Sequence, residues 1–368
     1  MEAEVLRSCM RKVFEEEGIE IVFDAEDVSR ALWNTTLDQM PYIPTLYLST
    51  SLDYQRAYMQ CFLDEIIDIS VIFKIKGRVL GLWPLSVNSL NGKIQVRTNQ
   101  GAVLPPVFVK NTSEKVMRKI ARSCLSALDS VHVLIGADGS GTWQSEVMFF
   151  DGELSGTNHI WYRLLMEKGA TAHPFHELYV DLMLSPEEIH RKWRKSYRSL
   201  IHEGERLFNI EVHETVTSSL FDEFRQLHFN VAGRVTRSLD TWKKQEKAIR
   251  ERRGFLVTAR QKNGELIGAA FYEFSRDEAV YSVAAYRRDL FDQPISHVIH
   301  NRAIQHMKLC GLRWYHIGTR VYPGDMVKPT DKELSISYFK EGMATHMFFK
   351  VLLVCNRSGS LCREKKML

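Results

Sequence analysis

A chain of 368 residues with 45% hydrophobic and 26% charged side chains has the composition of an ordinary globular protein and enough apolar material for one large or two ordinary domains. With 49 basic against 45 acidic residues, the formal net charge of +4 is too small to mark a dedicated duplex-binding surface. No apolar run approaches the ~18 residues of a membrane span, the start Met1-Glu2-Ala3-Glu4 lacks a signal-peptide pattern, and the six cysteines form no Cys-x-x-Cys, so reduced thiols and a cytoplasmic setting are expected.

Residues 5–17 have amphipathic helical spacing ended by Gly18, and 25–32 predict a second helix with Asp24 as its N-cap. Met40-Pro41-Tyr42-Ile43-Pro44 is extended, because a residue before proline avoids the helical region. Helical spacing returns over 52–65. The period then changes to two. Segments 69–76 and 79–87 alternate about a Gly77-Arg78 turn, 93–98 is a third strand, and the proline-containing 103–108 is an edge segment. Thr112 or Ser113 caps a helix over 114–128, and the β-branched 131–135 reads as a buried strand. The loop Gly136-Ala137-Asp138-Gly139-Ser140-Gly141 lacks the Gly-Lys-Ser/Thr of a phosphate-binding P-loop. A polar stretch and a short helix over 160–168 follow.

Segment 176–182 is strand-like. Ser185-Pro186-Glu187-Glu188 combines a cap, a first-turn proline and acids at the positive end of the helix dipole, predicting one helix to about Leu207. Its Arg191, Lys192, Arg194, Lys195, Arg198 and Arg206 read as a solvated face or as a surface for a phosphate-bearing or RNA substrate. A strand over 209–214 and helices over 219–230 and 240–253 come next. Strands over 255–260, 266–274 and 279–286, the first two joined by Asn263-Gly264, lead into a long amphipathic segment after Pro294. A strand over 314–318 and a helix ending at Gly342 close the pattern. Both halves share an order of helices, β meander, helix and strand. The expected domains are 1–175 and 176–355, with a disordered polar tail over 356–368.

Several of these motifs, in this order, resemble the GNAT acyltransferase fold. A tandem of two such units is similar to the Fem-type (FemAB-like) peptidyltransferases. The resemblance rests on Tyr179-Val180-Asp181-Leu182 with the capped basic helix and Phe208-Asn209-Ile210-Glu211-Val212, on Leu227-His228 with Gly233-Arg234, on Gly264–Ala270, and on Ser337-Tyr338-Phe339-Lys340-Glu341-Gly342. It is best over 176–352. It implies an α+β protein of two GNAT-like domains in tandem, with mixed central sheets flanked by helices and a degenerate first domain. It departs at 287–296, where GNAT enzymes carry a glycine-bearing pyrophosphate loop and this chain has no glycine. That departure fits Fem-type relatives, which use aminoacyl-tRNA.

Such a fold implies direct attack of an amine on a thioester or ester, with positioning, proton removal and oxyanion stabilisation. His228 is the expected base, Tyr286 the expected acid for the leaving group, and Ser282 shares a face with Tyr286 by even spacing on one strand. Arg234, Thr236 and Arg237, with Trp242 and Gln245 one turn apart on the next helix, are expected to bind the acceptor, as is Lys340. Arg287, Arg288, Gln293, Ile295 and Ser296 are the candidates for the phosphates of acyl-coenzyme A, taken as an acetyl-CoA-type co-substrate. His297, His300 and His306 share a helix but lack the further ligands of a metal site, so no metal is expected. The resulting expectation is an N-acyltransferase acting on an amine of a polar, anionic small molecule such as an amino sugar or amino acid derivative. Its alternatives are a bacterial, tRNA-dependent aminoacyl transferase working on a cell-envelope precursor, and a non-catalytic GNAT-like binding module.

Overall fold

The computed structural model describes residues 2–23, 27–98, 101–136, 142–149 and 155–356. The expectations placed on Asp24, on residues 137–141 and on the tail beyond Asn356 lie outside them. Two compact units are present: Met1–Pro41 with Phe62–Pro174 and Lys350–Leu368, and Tyr42–Cys61 with Phe175–Phe349.

Helix α1 (Ala3–Glu16) buries Leu6, Met10 and Phe14, spaced four apart as an apolar stripe requires. Gly18, at φ 64°, turns the chain into β1 (Glu20–Phe23). Helix α2 (Asp27–Asp38), a 3-10 turn at Thr45–Tyr47 and α3 (Ser49–Met59) precede β2 (Glu65–Asp68) and β3 (Val71–Ile75). The expected strand over 79–87 is two strands, β4 (Arg78–Trp83) and β5 (Ser86–Leu90), in different sheets. Pro84 stands between them and has no N–H to continue a ladder. After β6 (Lys93–Arg97) and β7 (Val107–Phe108), α4 runs over Glu114–Leu134. The stretch read as a strand from Val131 is its last turn. Leu128 and Val131 are both buried at helical spacing, and that packing outweighs the strand preference of β-branched residues.

Strand β8 (Thr142–Phe149), α5 (Ser155–Glu167) and β9 (Thr171–Asp181) follow. The expected long helix from residue 185 is also two, α6 (Pro186–Lys192) and α7 (Lys195–Leu207). Ser185 and Glu188 form a reciprocal capping box at its start. The break comes at Trp193, which is extended and only 3% exposed: burying the indole wins over continuing the helix. The remaining elements are β10 (Asn209–His213), α8 (Ser218–Ala232), α9 (Leu239–Arg250), β11 (Gly254–Arg260), β12 (Leu266–Phe274), β13 (Glu278–Tyr286), α10 (Ile295–Leu309), β14 (Trp314–Arg320), α11 (Asp331–Glu341) and β15 (His346–Asn356). Side chains of Thr217, Ser238 and Thr330 cap α8, α9 and α11.

The first unit packs α1, α4 and α5 against a sheet of order β1-β3-β4-β7 and a smaller one of order β2-β5-β6, around Phe14, Phe73, Trp83 and Trp161. In the second unit the strands run β10-β11-β12-β13-β14-β9. Its paired strands are antiparallel except β13 and β14, which are parallel. Helices α7, α10 and α11 cover one face around Ile201, Ile267, Ile299 and Tyr315. Helices α8 and α9 cover the other, around Phe224, Trp242, Leu256 and Phe271. Residues 42–61 join this second face, where α3 lies along α9. Buried carboxylates hold them: Tyr42 Oη, Thr45 N and Thr45 Oγ1 donate to Glu278 at 2.5, 2.7 and 2.8 Å, and Thr50 Oγ1 donates to Glu273 at 2.8 Å.

Candidate functional site

Strands β13 and β14 pair over three rungs only: Glu278–Trp314, Ala279–Tyr315 and Val280–His316. Both then continue, to Tyr286 and Arg320. The facing edges beyond the last rung are unpaired, which leaves backbone donors and acceptors open to a ligand between the strands. Irregularities flank this gap. Tyr272 pairs with Tyr281 and Phe271 with Val283, so Ser282 is an extra residue in β13. His316 pairs with Tyr179 and Gly318 with Leu178, a second shift in β14.

The extra residue brings the odd-numbered Tyr281 onto the face of the even-numbered Tyr286. Even spacing keeps residues on one face only in a regular strand. Here Ala279, Tyr281 and Tyr286 pack on the α10 side, and Val283 and Ala285 on the α8 side. Tyr281 is therefore the partner of Tyr286, their hydroxyls 3.0 Å apart. His228, on α8, is on the opposite face of the sheet from Tyr286, so the expected base and acid are not brought together.

The α10 face is an aromatic nest. Burial pushes the Tyr281 phenol up to about 12 and raises that of Tyr286 as well. Tyr315 Oη lies 2.7 Å from His300 Nδ1. Burial, helped by the charge of Lys340, lowers His300 to about 3, and burial lowers His297, set between Tyr197 and Phe339, to about 4. Lys340 reaches in from α11 with its Nζ 5.4 Å from the Tyr281 ring centre. Burial lowers its ammonium pKa, against the pull of Glu177. Gly318, at φ 137°, makes room for it: a Cβ there would meet Nζ at 2.5 Å.

The α8–α9 face holds most of the expected acceptor residues. His228, Arg234, Thr236, Arg237 and Trp242 line one cavity of about 350 Å³. The His228 ring stands edge-on to Trp242 at 5.2 Å, and burial together with Arg237 lowers it to about 4, so it is neutral near pH 7. The Arg237 guanidinium lies 5.3 Å from the Trp242 ring centre. Among the described residues, Thr236 Oγ1, Arg237 Nε and Nη1, and both amide atoms of the buried Gln245 have no hydrogen-bond partner. Buried polar groups are nearly always paired with protein or ordered water, so these atoms are open to a water or a polar ligand. Arg237 and Glu273 both act on the Tyr54 phenol, which ties the cavity to the sheet. Burial raises Glu273 to about 7. Glu273 pairs with Val280 and Val280 with His316, and partners across a sheet point to one side.

The residues expected to hold donor phosphates are differently placed. Arg287 is engaged by Asp289 and Glu265. Arg288 is exposed and lines, with Arg287, Glu223, Glu265 and Asp289, a cavity of about 580 Å³ whose three acids outnumber its two arginines. Ile295 is buried core: a Cβ at Gly268 would come within 2.5 Å of it. Gln293 and Ser296 are at the start of α10, which no side chain caps; its first amide, Ile295 N–H, donates to the Gln293 carbonyl at 2.9 Å. Among the described residues no group of three His, Cys, Asp or Glu side chains could hold a metal ion, and no helix is long and apolar enough to cross a membrane.

Sequence reasoning passed over Tyr281, Glu273, Glu177 and His316. The last two were each inside a predicted strand, but the pairing that brings them together spans 139 positions.

The sequence matches no family model and no curated protein. Solved structures similar to this chain include FemX, with a TM-score of 0.64 at 11% identity over 91% of this chain and 96% of that one. A conserved protein of unknown function from Bacteroides thetaiotaomicron gives 0.54 at 8% identity, covering 91% of this chain and all (100%) of the other. The C-terminal domain of the lysylphosphatidylglycerol synthetase-type protein of Agrobacterium fabrum gives 0.51 at 13% identity, over 91% and 92%. Taken with the parallel pair that parts after three rungs, this likeness identifies the architecture: the chain has a FemX-like fold, α+β with mixed sheets flanked by helices.

Proposed function

We propose that the protein transfers an acyl group to an amine of a polar, anionic acceptor, with acyl-coenzyme A as the donor. The observation that carries this reading is the parting of β13 and β14 with polar groups gathered on both sides of the gap. The amide-bearing pantetheine arm of the donor, laid between the strands, would hydrogen-bond their open edges, and the donor's phosphates would meet the uncapped start of α10. Lys340, Tyr281 and Tyr286 are on the donor side, where a neutral phenol can give a proton to the leaving group. Arg234, Thr236, Arg237, Trp242 and Gln245 read the acceptor. The unpartnered Nε and Nη1 of Arg237 fit a carboxylate or phosphate, and Gln245 fits an amide or hydroxyl. In this reading His228, neutral beside Trp242, lines the acceptor cavity. The test is acetyl-CoA binding by calorimetry and thiol release with glucosamine 6-phosphate, glutamate and lysine as acceptors. Binding with turnover of at least one amine is expected; no binding to any acyl-coenzyme A ends the reading.

One observation favours a second donor. The segment 287–296 has no glycine and its Arg287 is already neutralised by two carboxylates, a poor grip for a pyrophosphate. An aminoacyl-tRNA ester, held by the basic residues Arg191, Lys192, Lys195 and Arg198 of α6 and α7, needs no such grip. Steeply salt-dependent tRNA binding without acyl-coenzyme A binding would support it.

A further inference from the structure

Glu177 and His316 form a pair that the reading above leaves unused. His316 Nε2 lies 2.7 Å from Glu177 Oε2. The Glu177 side chain is 1% exposed, and Thr319 Oγ1 lies 3.2 and 3.1 Å from its two oxygens, so the carboxylate is fixed. An ionised carboxylate only accepts, which puts the imidazole proton on Nε2 and the lone pair on Nδ1. The ring is stacked on Tyr179 at 4.7 Å and 19°, yet 23% of the side chain remains exposed. A partly exposed histidine oriented by a buried acid is the arrangement a general base needs.

Its position suits the reaction. His316 is on the last rung that β14 shares with β13, where the gap begins. It faces the same side as Glu273, two strands away and so about 10 Å distant, and that side carries the acceptor cavity. The charged and titratable groups around the pair are Tyr179 on β9, Glu278 on β13 and Lys340 on α11. His228 stands in the company of a cation and His316 in that of an anion, and only the latter stabilises the imidazolium that proton transfer creates.

We propose that His316 is the general base of the acyl transfer and that Glu177 is its positioning residue. The proposal rests on the acyl-transfer reading. The acceptor amine attacks the acyl carbonyl carbon, and the C–N bond forms. The amine proton passes to His316 Nδ1. The C–S bond of a thioester, or C–O bond of an ester, then breaks, and the leaving group takes the electron pair. Glu177 stays ionised throughout and neutralises the imidazolium.

The experiment uses the full chain, acetyl-CoA and whichever of the three amines is turned over, with circular dichroism to verify folding. His316→Gln keeps an N–H for Glu177 but has no basic nitrogen. It is expected to lower kcat by about 100-fold or more, with KM little changed, and to abolish the acid limb of the pH–rate profile. Glu177→Gln should lower kcat about tenfold and move that limb to lower pH, because the imidazolium loses its counter-charge. Added imidazole should restore activity to His316→Ala. A folded His316→Gln with kcat within about threefold of wild type overturns the base while leaving acyl transfer standing. Wild-type protein that neither binds nor turns over acetyl-CoA overturns both. Should His316→Gln not fold, Glu177→Gln decides: an acid limb in its wild-type place overturns the proposal.

Discussion

The two faces of the second unit's sheet solve the burial of polar groups differently. On the α10 side, phenols and imidazoles are numerous but are kept neutral. Tyr281 bonds Tyr286, Tyr315 bonds His300, and burial holds the phenols protonated and the histidines unprotonated. On the α3–α9 side, groups that want partners are left without them, and a carboxyl is held near its titration point. Among the described residues, the His297 ring, the Tyr272 hydroxyl and the Trp193 indole N–H lack partners on the first face; on the second the unpartnered atoms gather on Thr236, Arg237 and Gln245. A protein gains nothing in stability from unmatched buried amides and guanidinium groups, which is the reason the proposed function assigns these atoms to the acceptor.

The contrast can be broken most strongly at Glu273. Its carboxyl is raised from 4.5 to about 7, so between these values the folded state holds a proton that the unfolded chain releases. Stability is therefore lost as pH rises through this window, by about 3 kcal/mol in total. Glu273→Gln, which keeps an acceptor for Thr50, should be more stable than wild type by about that amount at pH 8 and equal to it at pH 4. Denaturant titrations at the two pH values give the answer, and equal stability at pH 8 would mean that the carboxyl is solvated.

Gln245 sharpens the contrast. Replacing an unpartnered buried amide by an apolar side chain of similar size removes a desolvation cost, so Gln245→Leu should stabilise the free protein by about 1–2 kcal/mol. The same change should weaken acceptor binding at least about tenfold, because the ligand loses that partner. A variant destabilised in the free state would show that Gln245 is satisfied by water rather than reserved for a ligand. The smallest effect is expected on the closed face. Tyr286→Phe removes one end of a phenol pair and should cost about 1 kcal/mol. If Tyr286 also supplies the leaving group's proton, kcat falls with it, most clearly for donors with a poor leaving group.

Much of this architecture was legible locally. Strand 266–274, the Ser185 cap and the helix after Pro294 follow from period and capping, which are properties of neighbouring residues. Errors came where tertiary packing reversed a local preference, as at Val131 and Trp193. The cavity lined by His228, Arg237 and Trp242 was partly legible because α8, its loop and α9 are consecutive in the chain. The Glu177–His316 pair was not, since it depends on strand pairing between distant segments. Nor was the extra residue in β13: nothing in Tyr281-Ser282-Val283 announces it, and one added residue exchanges which side chains meet.

The bonds from Tyr42 and Thr45 to Glu278 also bear on how the protein is made. Tyr42 emerges from the ribosome 236 residues ahead of Glu278, a wait of roughly 10–50 seconds at ordinary synthesis rates. Until then Tyr42, Tyr47 and Leu48, all buried in the finished molecule, have nothing to cover them. Conversely, a fragment beginning at residue 175 would lack the donors that Glu278 and Glu273 accept from. The second unit is thus not a detachable C-terminal half: its assembly waits for one of the earliest segments of the chain to be collected by one of the later ones.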